Sequence, residues 1–110
     1  MNERDKGHFR DIWNEGQQLQ IALSDKTKVS LDDYLTANGV CHAIVLIGEA
    51  ASQISAETRN QFPEIQWKLI IGMRNFVIHQ YRRVDMDIIW HTATVSVPHL
   101  LTQIESLLKD

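Results

Sequence analysis

A chain of 110 residues with 44% apolar and 23% charged side chains has the size and balance of one folded domain, 1–110, and argues against global disorder. The formal net charge of −3 excludes a surface coated in positive charge, so any contact with nucleic acid has to come from a local patch. Cys41 has no second cysteine to pair with, which excludes an intrachain disulfide and fits a reducing cytoplasm.

The opening Met1-Asn2-Glu3-Arg4-Asp5-Lys6 lacks an apolar stretch behind a basic head, so no signal peptide is expected. No apolar run approaches the roughly 20 residues of a membrane helix, and no membrane association is expected. The first helix is expected over about residues 4 to 23, where Phe9, Ile12, Trp13, Gly16, Leu19 and Leu23 recur at helical spacing. Ser24 to Lys28 reads as a solvated loop. Ser30 with Asp33 three places on resembles a capping box, which predicts a short helix through Leu31, Tyr34 and Leu35. Asn38-Gly39 is expected to bend or interrupt the chain. The segment of about 40 to 54 then reads as a buried helix, apolar nearly all round. His42 and Glu49 share one side of it, and the plain reading of Glu49 is a buried structural carboxylate that holds a backbone group or an arginine. Ser55 reads as the N-cap of a short helix through Thr58 and Phe62, stopped before Pro63. A long helix follows over about Glu64 to Tyr81. The last pattern runs from about Met86 to Leu108, and Pro98 inside it should kink or divide the helix. Nothing alternates as a strand does, so the fold class is all-α, a bundle of four to five helices.

The segment Gly72-Met73-Arg74-Asn75-Phe76-Val77-Ile78-His79-Gln80-Tyr81 carries the chemistry. On a helical wheel at about 100° per residue, Trp67, Ile70, Ile71, Val77, Ile78 and Tyr81 share one sector, and Arg74 falls in its middle. A cation on an apolar stripe is costly unless something compensates it. Lys68, Gly72, Asn75, His79, Arg82 and Arg83 fall on a neighbouring polar, basic flank. Arg74 and His79 are five residues apart, about 140° around a straight helix, so they do not stack. Either the arginine swings toward a shared cleft, or the two meet across an interface where a second copy of the helix supplies the other half.

Arginine and histidine suit RNA cleavage. An imidazole can take a proton from a ribose 2′-hydroxyl or give one to a leaving oxygen. A guanidinium can stabilise charge on the phosphoryl transition state. Attack by a 2′-hydroxyl on its own phosphate requires no metal, and no cofactor is expected. The histidines His8, His42, His79, His91 and His99 lack zinc-ligand spacing, and the chain contains no HExxH, no Gly-rich phosphate loop and no GxSxG. From the residues alone, a plain reading stands beside this one. Arg74 is then half of a structural ion pair, Lys68, Arg82 and Arg83 a solvated face, and Tyr81 an anchored core tyrosine.

Arg74-Asn75-Phe76-Val77-Ile78-His79-Gln80-Tyr81 resembles the R-x4-H-x-Y motif of the HepT-like toxins of the HEPN superfamily. Ile47-Gly48-Glu49-Ala50-Ala51, Pro63-Glu64-Ile65-Gln66-Trp67, Ile70-Ile71-Gly72-Met73, Val84-Asp85 and Ile89-Trp90 resemble the family's flanking text in order, over about residues 31 to 108. The resemblance implies a HEPN-type helical bundle that forms a homodimer, with the Arg and His of both protomers lining a cleft between them. It implies a metal-independent endoribonuclease that serves as the toxin of a toxin–antitoxin pair. Its partner would be a small MNT-type nucleotidyltransferase antitoxin, which in some pairs transfers AMP onto the motif tyrosine, here Tyr81. The roles implied are phosphate positioning for Arg74, acid–base work for His79 and orientation by Asn75; Lys68, Arg82 and Arg83 are candidate RNA contacts on the strength of their own positive charge. Gln80 stands where the family pattern often has glycine, and Arg82-Arg83 replaces an aromatic-glycine turn. The alternative is a non-catalytic HEPN module that binds the nucleotidyltransferase and presents substrate or nucleotide.

Overall fold

The computed structural model describes residues 1–80, 83 and 85–109. The first helix, α1 (Glu3–Leu23), starts where the Asn2 side chain accepts a hydrogen bond from the Asp5 backbone N–H at 2.7 Å. Its buried face is Asp5, Phe9, Ile12, Gly16, Leu19 and Leu23, the expected stripe with one carboxylate added at its head.

The capping box expected at Ser30 is one element early. Lys28–Asp32 forms a 3-10 turn, within which the Ser30 hydroxyl accepts from the Thr27 N–H at 3.1 Å. Asp33 is the N-cap of α2 (Tyr34–Gln53), and its Oδ2 accepts from the backbone N–H and the hydroxyl of Thr36, both at 2.9 Å. Those two bonds hold the Asp33 carboxyl below the usual carboxylate range. Helix α2 runs straight through Asn38-Gly39, so the expected interruption is absent. Val40, Cys41, Ala43, Ile44 and Ile47 bury the turns around it, and tertiary packing outweighs the poor helix propensity of one glycine. Burial pushes the Cys41 thiol upward. By length and composition α2 could cross a bilayer, contrary to the expectation that no such run exists. It is instead the central helix, packed against α1 on one side and α4 on the other.

Ser55 caps α3 (Ala56–Gln61) as expected, accepting from the Thr58 N–H. The same cap is tied to α1. Asp5, 1% exposed, accepts from the Ser55 N–H at 3.1 Å, the Ser55 hydroxyl at 2.7 Å and the Thr58 hydroxyl at 2.6 Å. Burial alone would raise its pKa, but the bonds from Thr58 and Ser55 outweigh burial and hold it below the ordinary value.

Helix α4 (Trp67–Gln80) begins three residues later than expected. Residues 63–66 form a turn that lets the Trp67 indole N–H donate to the Phe62 carbonyl at 3.1 Å while Phe62 and Trp67 meet Phe9 edge-on. The last rod is α5 (Met86–His91), a π turn (Thr92–Ser96) and α6 (Val97–Ile104), in unbroken succession. Pro98 is its divider. The Val97 N–H reaches five residues back to the Thr92 carbonyl, which widens the turn just before a residue that has no N–H of its own. A 3-10 turn (Glu105–Leu108) ends the rod. Among the described residues there is no strand, and one core runs from Phe9 to Ile104. With α5, the π turn and α6 taken as one rod, this is the expected all-α bundle with five helices.

Candidate active site

Arg74 lies where α4 crosses α2. A Cβ built on Gly48 would stand 2.3 Å from the Arg74 Cβ and 3.3 Å from the Ile70 carbonyl oxygen. The crossing is therefore open only to glycine at position 48, and it places the root of the arginine side chain directly on the α2 backbone. The next residue of α2 receives the charge. The Arg74 guanidinium Nη2 lies 3.0 Å from Glu49 Oε2, while Gln53 Nε2, one turn further along α2, donates to Glu49 Oε1 at 3.4 Å.

Of the two partners the sequence allows Glu49, a backbone group or an arginine, the structure shows the arginine, and the expected burial is absent. Its side chain is 47% exposed and that of Arg74 26%. Glu49 sits on the outer face of α2 with exposed His42 and Leu46, so the pair is open to solvent. A pair this exposed contributes about 1 kcal/mol or less to folding. The Arg74 Nε–H is buried and has no partner among the described residues.

Lys68, Gly72, Asn75 and His79 are all exposed on α4, in the spacing that makes one stripe along the helix. His79 lies in the last turn of α4, about 140° around from Arg74. Arg83 is exposed. Tyr81 and Arg82 lie outside the described residues. No group of three or more His, Cys, Asp or Glu among the described residues could hold a metal ion.

Sequence reasoning missed how little of α4 is covered. Among the described residues of α4, only Val77 is fully buried. Ile78, placed on the apolar stripe by its spacing, is 48% exposed, and Leu69 is 55% exposed. Leu69, Ile70 and Met73 of α4 line a cavity of about 570 Å³ with Ile44, Ile88 and Leu100. The signal was available in the composition of α4, which is apolar on two sides and not on one.

Comparison with known proteins decides the family. Residues 15–107 match the family described as Ribonuclease HepT-like. The chain belongs to the HepT-like ribonucleases. It is 28% identical over 113 aligned residues to "Probable ribonuclease HepT" of Thermococcus cleftensis, which covers 99% of this chain and 100% of that one. It is 30% identical over 97 residues to a "Putative RNase" of Caldanaerobacter subterraneus, covering 84% of this chain and 87% of that one. A "Putative RNase" of Methanocaldococcus jannaschii is 32% identical over 83 residues, 72% of this chain and 69% of that protein. No solved structure matches the chain. Membership makes the all-α bundle a HEPN-type fold and ribonuclease activity the function of the HepT-like family.

Proposed function

We propose that this HepT-like protein is a metal-independent endoribonuclease, active as a homodimer in the cytoplasm and serving as the toxin of a toxin–antitoxin pair. The observation that carries the reading is the state of Arg74. It is a cation paired, among the described residues, only to a half-exposed carboxylate, with exposed Ile78 one turn further along α4 and exposed Leu46 one turn from Glu49 on α2. Exposed apolar surface beside a motif cation fits a face that meets a second copy. On a single helix Arg74 and His79 diverge, and two copies of α4 side by side would bring the arginine of one toward the histidine of the other.

In this site His79 takes the proton of a ribose 2′-hydroxyl, whose oxygen attacks the adjacent phosphorus. The bond from phosphorus to the 5′-oxygen breaks, the departing oxygen takes a proton from water, and a 2′,3′-cyclic phosphate remains. Arg74 holds the phosphate and stabilises its added charge, a contribution typically worth about 3–4 kcal/mol for one such donor. Asn75 orients the phosphate or the imidazole, and Lys68, Arg82 and Arg83 hold the flanking backbone. The R-x4-H-x-Y resemblance supports an MNT-type nucleotidyltransferase antitoxin as partner. AMP placed on Tyr81 would block RNA by bulk and negative charge.

Purified protein should cleave RNA in the presence of EDTA, and His79→Ala should lose that cleavage. Expression without the nucleotidyltransferase should arrest growth. Binding of nucleotide or partner with neither cleavage nor toxicity would establish the non-catalytic module in its place.

A further inference from the structure

We infer that Gly48 and Glu49 are positioning residues for the cleavage reaction, and that together they form the seat of Arg74. The inference rests on the proposed role of Arg74 in phosphate binding and extends it to two residues of another helix. Two independent features of the structure converge on it. The first is steric. Gly48 lacks the one carbon that would meet the Arg74 Cβ at 2.3 Å, so the backbone of α2 fixes how deep the arginine is rooted. The second is electrostatic. Glu49 grips the far end of the same side chain at 3.0 Å, and Gln53 in turn holds the carboxylate's other oxygen at 3.4 Å.

An arginine side chain is long and rich in rotamers, and an unheld guanidinium samples many positions. Here the root and the tip are both fixed by consecutive residues of α2. The pair is too exposed to be explained by the stability it adds. Its consequence is orientation: Glu49 engages Nη2 and the Nε–H is buried, so phosphate meets only the part of the guanidinium that is neither paired nor covered. Glu49 also places a negative charge beside the phosphate, which opposes RNA binding. Orientation and repulsion separate in kinetics, because orientation acts on kcat and repulsion on KM.

The test is steady-state cleavage of a short RNA by the full chain, with folding followed in parallel by thermal denaturation. Glu49→Ala should lower kcat about 10- to 100-fold, the range expected for a misplaced reacting or charge-stabilising group, with KM unchanged or reduced. Glu49→Gln, which keeps an acceptor at the same reach, should recover most of that loss. In an Arg74→Ala background, Glu49→Ala should cause no further loss in kcat. Gly48→Ala should lower kcat, whereas Gly16→Ala, a tight glycine packed against Leu101 far along the chain from the site, should leave the kcat of folded protein unchanged. Should Gly48→Ala not fold, the Glu49 variants still decide. Wild-type kcat in Glu49→Ala, a raised kcat, or an equal loss with and without Arg74 would overturn the inference. Full cleavage by Arg74→Ala would instead remove the reading on which it rests.

Discussion

Replacing Asp5 should unfasten α1 from α3. The Asp5 carboxylate is 1% exposed and accepts three hydrogen bonds, from the Ser55 N–H, the Ser55 hydroxyl and the Thr58 hydroxyl. In Asp5→Ala those donors lose a charged acceptor, and a hydrogen bond to a charged group contributes about 1.5–3 kcal/mol net. The Ser55 and Thr58 hydroxyls are 3.2 Å apart and can recover part of the loss by turning to each other. A net cost of about 3–5 kcal/mol follows, or roughly 13–22 °C in Tm for a domain of this size. Asp5→Asn keeps one acceptor oxygen and should cost about 1–3 kcal/mol. Urea denaturation followed by helical circular dichroism measures both. The folded pKa of Asp5 is lowered, so its contribution is present above the ordinary value of 3.8 and is lost as pH falls through the folded value. Wild type should therefore lose more stability than Asp5→Asn on acidification below about pH 4. A cost under about 1 kcal/mol for Asp5→Ala, or parallel acid profiles for the two proteins, would show that the Asp5 bonds do not fasten α1 to α3.

Gly16→Ala should destabilise by about 1–3 kcal/mol, because the new methyl would meet the Leu101 Cδ2 at 2.7 Å. Denaturant midpoints would show it. Ile78→Asp should leave the folded protomer within about 0.5 kcal/mol of wild type, since Ile78 is 48% exposed; on the proposed dimer, light scattering should give a dimer mass for wild type and a monomer mass for the variant. Arg74→Ala should cost about 1 kcal/mol or less in stability, because the partner it strands is not buried. Lys68→Glu and Arg83→Glu should each weaken RNA binding and flatten its salt dependence, measured by anisotropy titration at several salt concentrations.

The helices were legible wherever a single apolar face met the core. The stripe of α1 and the caps at Ser55 and Pro63 follow directly from spacing and capping chemistry. Asp33 was misassigned because the same Ser-x-x-Asp spacing serves as the end of one turn and the start of the next helix, and only the Thr36 bonds distinguish them. Asn38-Gly39 suggests a break that the buried turns of α2 override. Arg74 was legible as an anomaly, and Glu49 as its partner. The contact between them was not, because it depends on Gly48 admitting α4 to the α2 backbone, and no pattern within one helix reports a crossing between two. The exposure of Ile78 was hidden for a related reason. Periodicity shows that a face is apolar and not whether the covering surface belongs to the same chain.

On the proposed mechanism, Arg74 and His79 cleave RNA through its own 2′-hydroxyl. The most direct measurement uses a short RNA and the same oligonucleotide with a single 2′-deoxy residue at the cleaved position, both incubated with purified protein in EDTA. The RNA should be cleaved to a 2′,3′-cyclic phosphate end, the deoxy position should stay intact, and both Arg74→Ala and His79→Ala should lose cleavage. Cleavage at the deoxy position, a requirement for added metal, or full activity in either variant would contradict it.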